Sequence, residues 1–526
     1  MPSRKAASKG RPFSYQTMYL RRSYSVSNLF MRHCLLFIAV FVGVVFALGG
    51  CRKQRITSDP SAKLAFSVDT VQFDTVFTTL GSTTQLVKVY NRNNDAVVID
   101  EVRLEGGSSS NFRINVDGSP GAVFSDIELR GGDSLWIFVE VTVDPNNQNS
   151  PFVIEDAIRF QTNGNEQAIR LMAWGQNAFY HGRPGRFTVL PCNEQWTAER
   201  PHLVFGIVAI DEGCNLTIGA GTQVHCYARS GIYVYRGGLD VQGNLGNEVV
   251  FQGSRLETAY DDIPGQWGIE LDFEFEGDFG IETATIVRGG VWLVESTGST
   301  IDYAIFKNGN IGIQVDTLGN PSVDALRITN TVVQNMGITG LLAQGASVSG
   351  WNNLFASAGQ ASAAFTIGGS YRFAYTTFAN YWTDGVRQSP TFVLSNYYTD
   401  INDNLQIRPL TNTWFHNCIM WGNNASLSDY NEFLVDLQQE ESQEYNFQFC
   451  SIDTDIDLTN PARYTGIVNG TVPPFIDPAM SDFKLSPNAS TVWNGGFPVG
   501  DTWNPPTDLD QLPRSFPGRR GCYEGQ

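Results

Sequence analysis

A short motif recurs through the second half of the chain: an apolar residue, one intervening residue, then asparagine or serine. It stands at Phe306-Lys-Asn308, Val333-Gln-Asn335, Phe355-Ala-Ser357 and Phe378-Ala-Asn380, at steps of 27, 22 and 23 residues. No other feature constrains the fold as much. A repeat in the twenties cannot bury a core alone and has to stack on its neighbours. A rung of three short strands and three turns needs about that length. Residues 216–253 (LTIGAGTQVHCYARSGIYVYRGGLDVQGNLGNEVVFQG) read as short β runs broken by Gly turns. Leucine-rich repeats share the period but need a Leu-rich consensus, whereas these rungs carry Val, Ile, Phe and Asn. The pattern predicts a right-handed parallel β-helix over 183–480. Its interior should mix aliphatic residues with Asn, Ser and Cys. Residues 481–526 are read as a C-terminal cap or tail.

Three segments resemble bacterial β-helix lipoproteins: IPGQWGIELDF (263–273), IDYAIFKNGNIGIQV (301–315) and GGSYRFAYTTFANYW (368–382). The ending PPFIDPAMSDFKLSPNAS…TDLDQLPRSFPGRRGCYE resembles the closing cap of such proteins, with Gly521-Cys522-Tyr523-Glu524 where a Gly-Ala-Tyr-Glu-like finish is usual. The resemblance spans roughly 190–526 and implies architecture, not activity.

The N-terminus reads as an export and anchoring signal. Met31-Arg32-His33 is a short positive region, and Cys34–Leu48 is an apolar run of 15 residues. That is short for a membrane-spanning helix, which needs about 20, and fits a signal peptide. It ends in Leu48-Gly49-Gly50-Cys51, which resembles the bacterial lipobox. The resemblance implies cleavage after residue 50 and lipidation of Cys51, with several acyl chains holding the protein on the membrane. Met31 is the expected start, because the basic leader before it is not needed for export. Residues 51–62 then form the lipidated cysteine and a tether. The expected location is the envelope of a Gram-negative bacterium, on its outer membrane, with the membrane face open.

Residues 63–178 alternate with period 2. Leu135, Ile137, Val139, Val141 and Val143 interleave with Trp136, Phe138, Glu140 and Thr142, a strand with two distinct faces. About seven short strands between turn clusters suggest an Ig-like β-sandwich. The stretches VDTVQFDTVFTTLGSTTQLVKVYN, GDSLWIFVEVTVDP and IRFQTNGNEQAIRLMAWG resemble bacterial Ig-like domains of the ASH/DUF1573 kind. Such domains are spacers or interaction modules. The fold class is therefore all-β: an Ig-like sandwich followed by a solenoid.

Charge excludes one class of partner. Residues 1–50 hold seven basic residues and no acid, so the remainder carries 28 basic against 53 acidic residues, a net −25. Nucleic acid binding needs clustered Lys and Arg. The same balance weighs against a polyanionic glycan. Cys192 and Cys214 are a candidate disulfide near the start of the coil. Cys418 and Cys450 read as buried ladder residues on neighbouring rungs. No Cys or His spacing fits zinc.

The catalytic motifs of β-helix pectate lyases and polygalacturonases are absent from the sequence. The His-Gly pair His181-Gly182 precedes the coil, Arg327-Ile-Thr329 lacks a lysine, and Asp261-Asp262 is an acidic pair without partners. No catalytic residue is assigned. Glu270, Asp272, Glu274 and Glu276 alternate along one strand, which puts four carboxylates on one face. They are the candidate metal site, for calcium through oxygen ligands; no other cofactor is expected. Trp351, Tyr381, Trp382 and Trp414 are the candidate binding residues, since exposed rings suit sugar faces or partner proteins. The reading is a lipid-anchored envelope protein that binds a glycan or an envelope protein without catalysis. A polysaccharide lyase or glycoside hydrolase with a non-standard site, and a structural stalk or adhesin, remain the alternatives.

Overall fold

The computed structural model describes residues 55–524 except 147–148, 150, 278–279, 318–322, 424–431 and 501–502. The leader and Cys51 lie outside the described residues. The described chain is β structure with a few 3-10 turns and no α-helix.

Ala65 to Gln176 form two five-stranded sheets packed face to face. The alternating run becomes strand Ser134–Val141, with Leu135, Ile137, Val139 and Val141 buried. They meet Phe73, Phe112 and Phe160 from the rest of the sandwich. Trp136 faces outward, where the Lys88 ammonium lies 3.7 Å from its ring centre.

The coil begins with Phe179–Val189, which pairs in parallel with His202–Ile210. From there the chain winds through three parallel ladders. Two are joined as an 18-stranded sheet, and the third has ten strands. The repeat seen in the sequence is the stacking register itself. Phe306 pairs with Val333, Val333 with Phe355, and Phe355 with Phe378. All four are fully buried. Burying one such side chain contributes about 1.5–3 kcal/mol. The third member of the motif turns the chain: Asn308, Asn335 and Ser357 have φ of 64°, 55° and 50°. Asparagine tolerates this left-handed conformation better than most residues. It also links rungs, as Asn335 Nδ2 donates to Asn308 Oδ1 at 2.8 Å.

The sandwich closes the first rungs of the coil. Phe77 packs with Ala178 and Leu203, flanked by Leu80, Phe205 and Leu256. Its ring meets His225 edge-on at 4.8 Å. Cys192 and Cys214 form a disulfide, while Cys226, Cys418, Cys450 and Cys522 are free and buried. The described residues of 481–524 lie against the coil. They run lengthwise along one turn ladder, from Arg520 bonding Phe449 O to Gln511 reaching Tyr303 Oη. Arg514 is buried beneath this strap, with Glu524, Asn352 and two carbonyls as partners.

Three histidines in the first rungs give a pH dependence. His181 Nε2 and His202 Nδ1 are 2.9 Å apart, stacked with Trp196. Burial lowers His181 to about 3, with His202 adding to the effect, although Glu194 stands 3.6 Å away. Burial lowers His202 and His225 to about 4 each. The unfolded chain takes up these protons below about pH 6.5 and the folded chain does not. Stability present at neutral pH is therefore lost as pH falls from 6.5 toward 4, by up to about 3 kcal/mol per buried imidazole. Thermal unfolding followed from pH 7 to pH 4.5 should show the fall, and His225→Gln should flatten it. A pH-independent Tm across that window would contradict the account.

Candidate functional site

Between strands Val249–Gly253 and Gly289–Val294 the coil carries an insertion. Its first part is a loop held at both ends. At the sandwich, Glu257 accepts from Thr83 N at 3.0 Å, Asp74 accepts from Thr258 N at 3.0 Å, and Arg255 pairs with Glu257 at 3.0 Å. At the coil, Asn308 Nδ2 donates to Asp261 O at 2.6 Å and Asn335 Nδ2 to Asp262 O at 2.8 Å. The asparagines of the turn ladder thus carry the Asp261-Asp262 pair. Trp267 then buries its ring in the coil, and its indole N–H donates to Lys307 O.

A cavity of about 340 Å³ opens over this ladder. Asp261 and Asp262 form one wall. Lys307, Asn308, Gln334 and Asn335 form the floor. Tyr381, Trp382 and Asp384 form the opposite wall, and Pro478–Ser481 the rim. Lys307 is the only lysine between 183 and 483. Among the described residues, the side chains of Asp261, Asp262, Asp384 and Lys307 have no hydrogen-bond or ion-pair partner, so their polar capacity is open to a ligand. Tyr381 is held by Phe475 and Phe483, at 6.0 and 5.7 Å. Burial pushes its hydroxyl up to about 12. The wall is fixed from behind by Arg387, buried in the same segment. Its guanidinium bonds both oxygens of Glu432, at 2.8 and 2.6 Å.

The four aromatic candidates fall in two places. Tyr381 and Trp382 line the cavity. Trp351 and Trp414 lie on the ten-stranded face, each edge-on to Trp503 of the C-terminal strap, at 5.6 and 4.7 Å. Sequence spacing had missed Lys307 and Asp384 as site residues. Asn308 and Asn335 had been legible only as a repeat, and Asp261-Asp262 only as a pair lacking partners.

The acidic candidates lie elsewhere. Glu270–Gly277 is a strand as expected, but it pairs antiparallel with Gly280–Val287 in a hairpin outside the coil ladders. Arg229 bridges Glu270 at 3.0 Å and Asp272 at 2.5 Å. Its hydrogen bond, with a second from Thr285, holds Asp272 below the usual carboxylate range. Glu274 is exposed, and the Glu276 side chain lies outside the described residues. Arg229 already pairs with both of the first two carboxylates. Among the described residues no group of three His, Cys, Asp or Glu side chains is placed to hold a metal ion.

No protein-family model matches the chain. No curated protein matches it either. Solved structures do. A family 123 glycoside hydrolase from Clostridium perfringens is 11% identical over 22% of this chain, with a TM-score of 0.16, and the match spans 26% of that hydrolase. The ASH/PapD-like domain 7 of human CEP192 is 15% identical over 23% of this chain and 89% of its own length, TM-score 0.16. The catalytic domain of a GH87 α-1,3-glucanase, solved with tetrasaccharides, is 11% identical over 74% of this chain and 85% of its own, TM-score 0.18.

Proposed function

We propose that this is a lipid-anchored envelope protein whose coil binds a glycan in the cavity between Asp261-Asp262 and Tyr381-Trp382. One observation carries the reading: unpartnered carboxylates and a lysine converge beside an indole and a phenol in a single concave site. Sugars are bound by this combination. A ring's C–H face stacks on an aromatic side chain, and its hydroxyls donate to carboxylates and accept from ammonium and amide groups. The Cys51 anchor belongs to the same proposal, resting on the lipobox and the apolar run before it.

The test uses the chain from residue 52 onward, mixed with a panel of neutral polysaccharides and run on a sizing column, with protein and sugar tracked separately. Co-elution with at least one glycan at unchanged length is expected. Trp382→Ala should weaken that binding about tenfold, on the order of 1.4 kcal/mol, with the Tm preserved. A glycan that shortens would replace the binding reading with an enzymatic one. Absence of co-elution with every glycan, or full binding by Trp382→Ala, would reject this site.

A further inference from the structure

We propose that the coil carries a second, separate sugar site, at another turn ladder, which takes one pyranose ring of a neutral glycan. It does not depend on the cavity described above. Strands Ile311–Asp316, Thr339–Gln344 and Ala363–Thr366 stack in register, so Asp316, Gln344 and Thr366 end side by side. The next residue in each rung turns in the left-handed region: Thr317 at φ 61°, Gly345 at 60° and Ile367 at 64°. Glycine is the unstrained choice here. Threonine and isoleucine are β-branched and among the residues least suited to it. Strain of this kind concentrates where a side chain is needed at a ligand site.

A small hairpin, Tyr397–Thr399 with Leu405–Ile407, stands over that ladder. Its base is pinned by close backbone contact. Gly369 N donates to Pro409 O at 2.9 Å and Gly368 N to Ser395 O at 3.2 Å. A Cβ on Gly368 would lie 2.6 Å from Pro409 O, so a larger residue would push the hairpin off.

Between ladder and hairpin lies a cavity of about 560 Å³, lined by Asp316, Gln344, Ile367, Tyr398, Arg408 and Pro409 among others. That volume is within the range of small-molecule sites. Ile367, Pro409 and the Tyr398 ring offer apolar surface to the C–H face of a sugar. Asp316 and Gln344 also line it; Trp292 Nε1 and Gln314 Nε2 both donate to Asp316 Oδ2, at 2.8 and 2.9 Å, and Asp316 Oδ1 is buried without a hydrogen-bond partner among the described residues. Arg408 is exposed at the mouth, its guanidinium 5.7 Å from the Tyr398 ring centre. Among the described residues it has no acidic partner. The Gln344 amide, with its acceptor oxygen, and the donor guanidinium of Arg408 around an apolar wall match the alternating donors and acceptors of a hydroxylated ring. A ligand with one charge sign would leave either Asp316 or Arg408 opposed.

The test is ligand-observed NMR on the chain from residue 52 onward, with the methyl glycosides of glucose, galactose, mannose and N-acetylglucosamine as probes at millimolar concentration. At least one should show saturation transfer. Arg408→Ala and Tyr398→Ala should each weaken it about tenfold, while Trp382→Ala in the other cavity leaves it unchanged. Ile367→Gly should weaken binding without lowering the Tm, because it removes apolar contact and backbone strain together. No binding of any probe, binding that survives Arg408→Ala, or unchanged affinity in Ile367→Gly would overturn the assignment.

Discussion

Glu432→Ala should lower stability by about 3–5 kcal/mol, the loss expected when one partner of a buried ion pair is removed. The Glu432 and Arg387 side chains are 4% and 3% exposed. Glu432 accepts two bonds from Arg387, one from Thr391 N at 3.1 Å and one from Thr391 Oγ at 2.6 Å. Truncation removes the carboxylate that both terminal nitrogens of the buried guanidinium bond. The measured Tm should fall by about 10 °C. Glu432→Gln retains hydrogen-bonding capacity and should fall between the two. The effect should reach the cavity, because Arg387 belongs to the segment that presents Tyr381, Trp382 and Asp384. Glycan retention should therefore drop in Glu432→Ala even at temperatures where the protein is folded. An unchanged Tm in Glu432→Ala would mean that the pair is not buried as described.

Removing the sandwich should make the coil aggregate. A chain starting at residue 179 would lose Phe77 and expose Leu203, Phe205 and Leu256 together. The Phe179–Val189 strand is already the outermost strand of a long parallel sheet, a template for edge pairing, and the newly exposed apolar residues would lie beside it. The loop that carries Asp261 and Asp262 would lose the Asp74 and Thr83 contacts that hold its first residues. In the full chain, Phe77→Asp should part the two bodies and raise protease cutting within 254–266. Size-exclusion chromatography of the fragment and limited proteolysis of the variant are the measurements. A soluble, folded, monodisperse fragment would show that the sandwich is a detachable spacer.

What could be read from the sequence was short-range. Period-2 alternation in 135–143 made a two-faced strand because successive side chains on a strand point to opposite faces. The 27, 22 and 23-residue steps became the register of one ladder because identical turns have to stack to satisfy their backbone and amide groups. The Cys192–Cys214 bond was legible because both residues fall at the start of the coil, 22 positions apart. The cavity was not legible in this way. Asp261, Lys307, Trp382 and Pro478 are far apart in the chain and meet only because rungs of unequal length and one insertion bring them to the same corner. The acidic stripe 270–276 was visible, but the charge that answers it, Arg229, sits on an earlier turn, and no local pattern announces it. Trp351 and Trp414 likewise looked like partners of Tyr381 and Trp382. Strand direction places them on another side of the coil, against Trp503. Local geometry follows from backbone sterics and hydrogen bonding within a few residues, so the sequence determined strands, turns and the repeat. Which side chains face one another depends on rung length and insertions summed over the coil, and that only the tertiary structure decided.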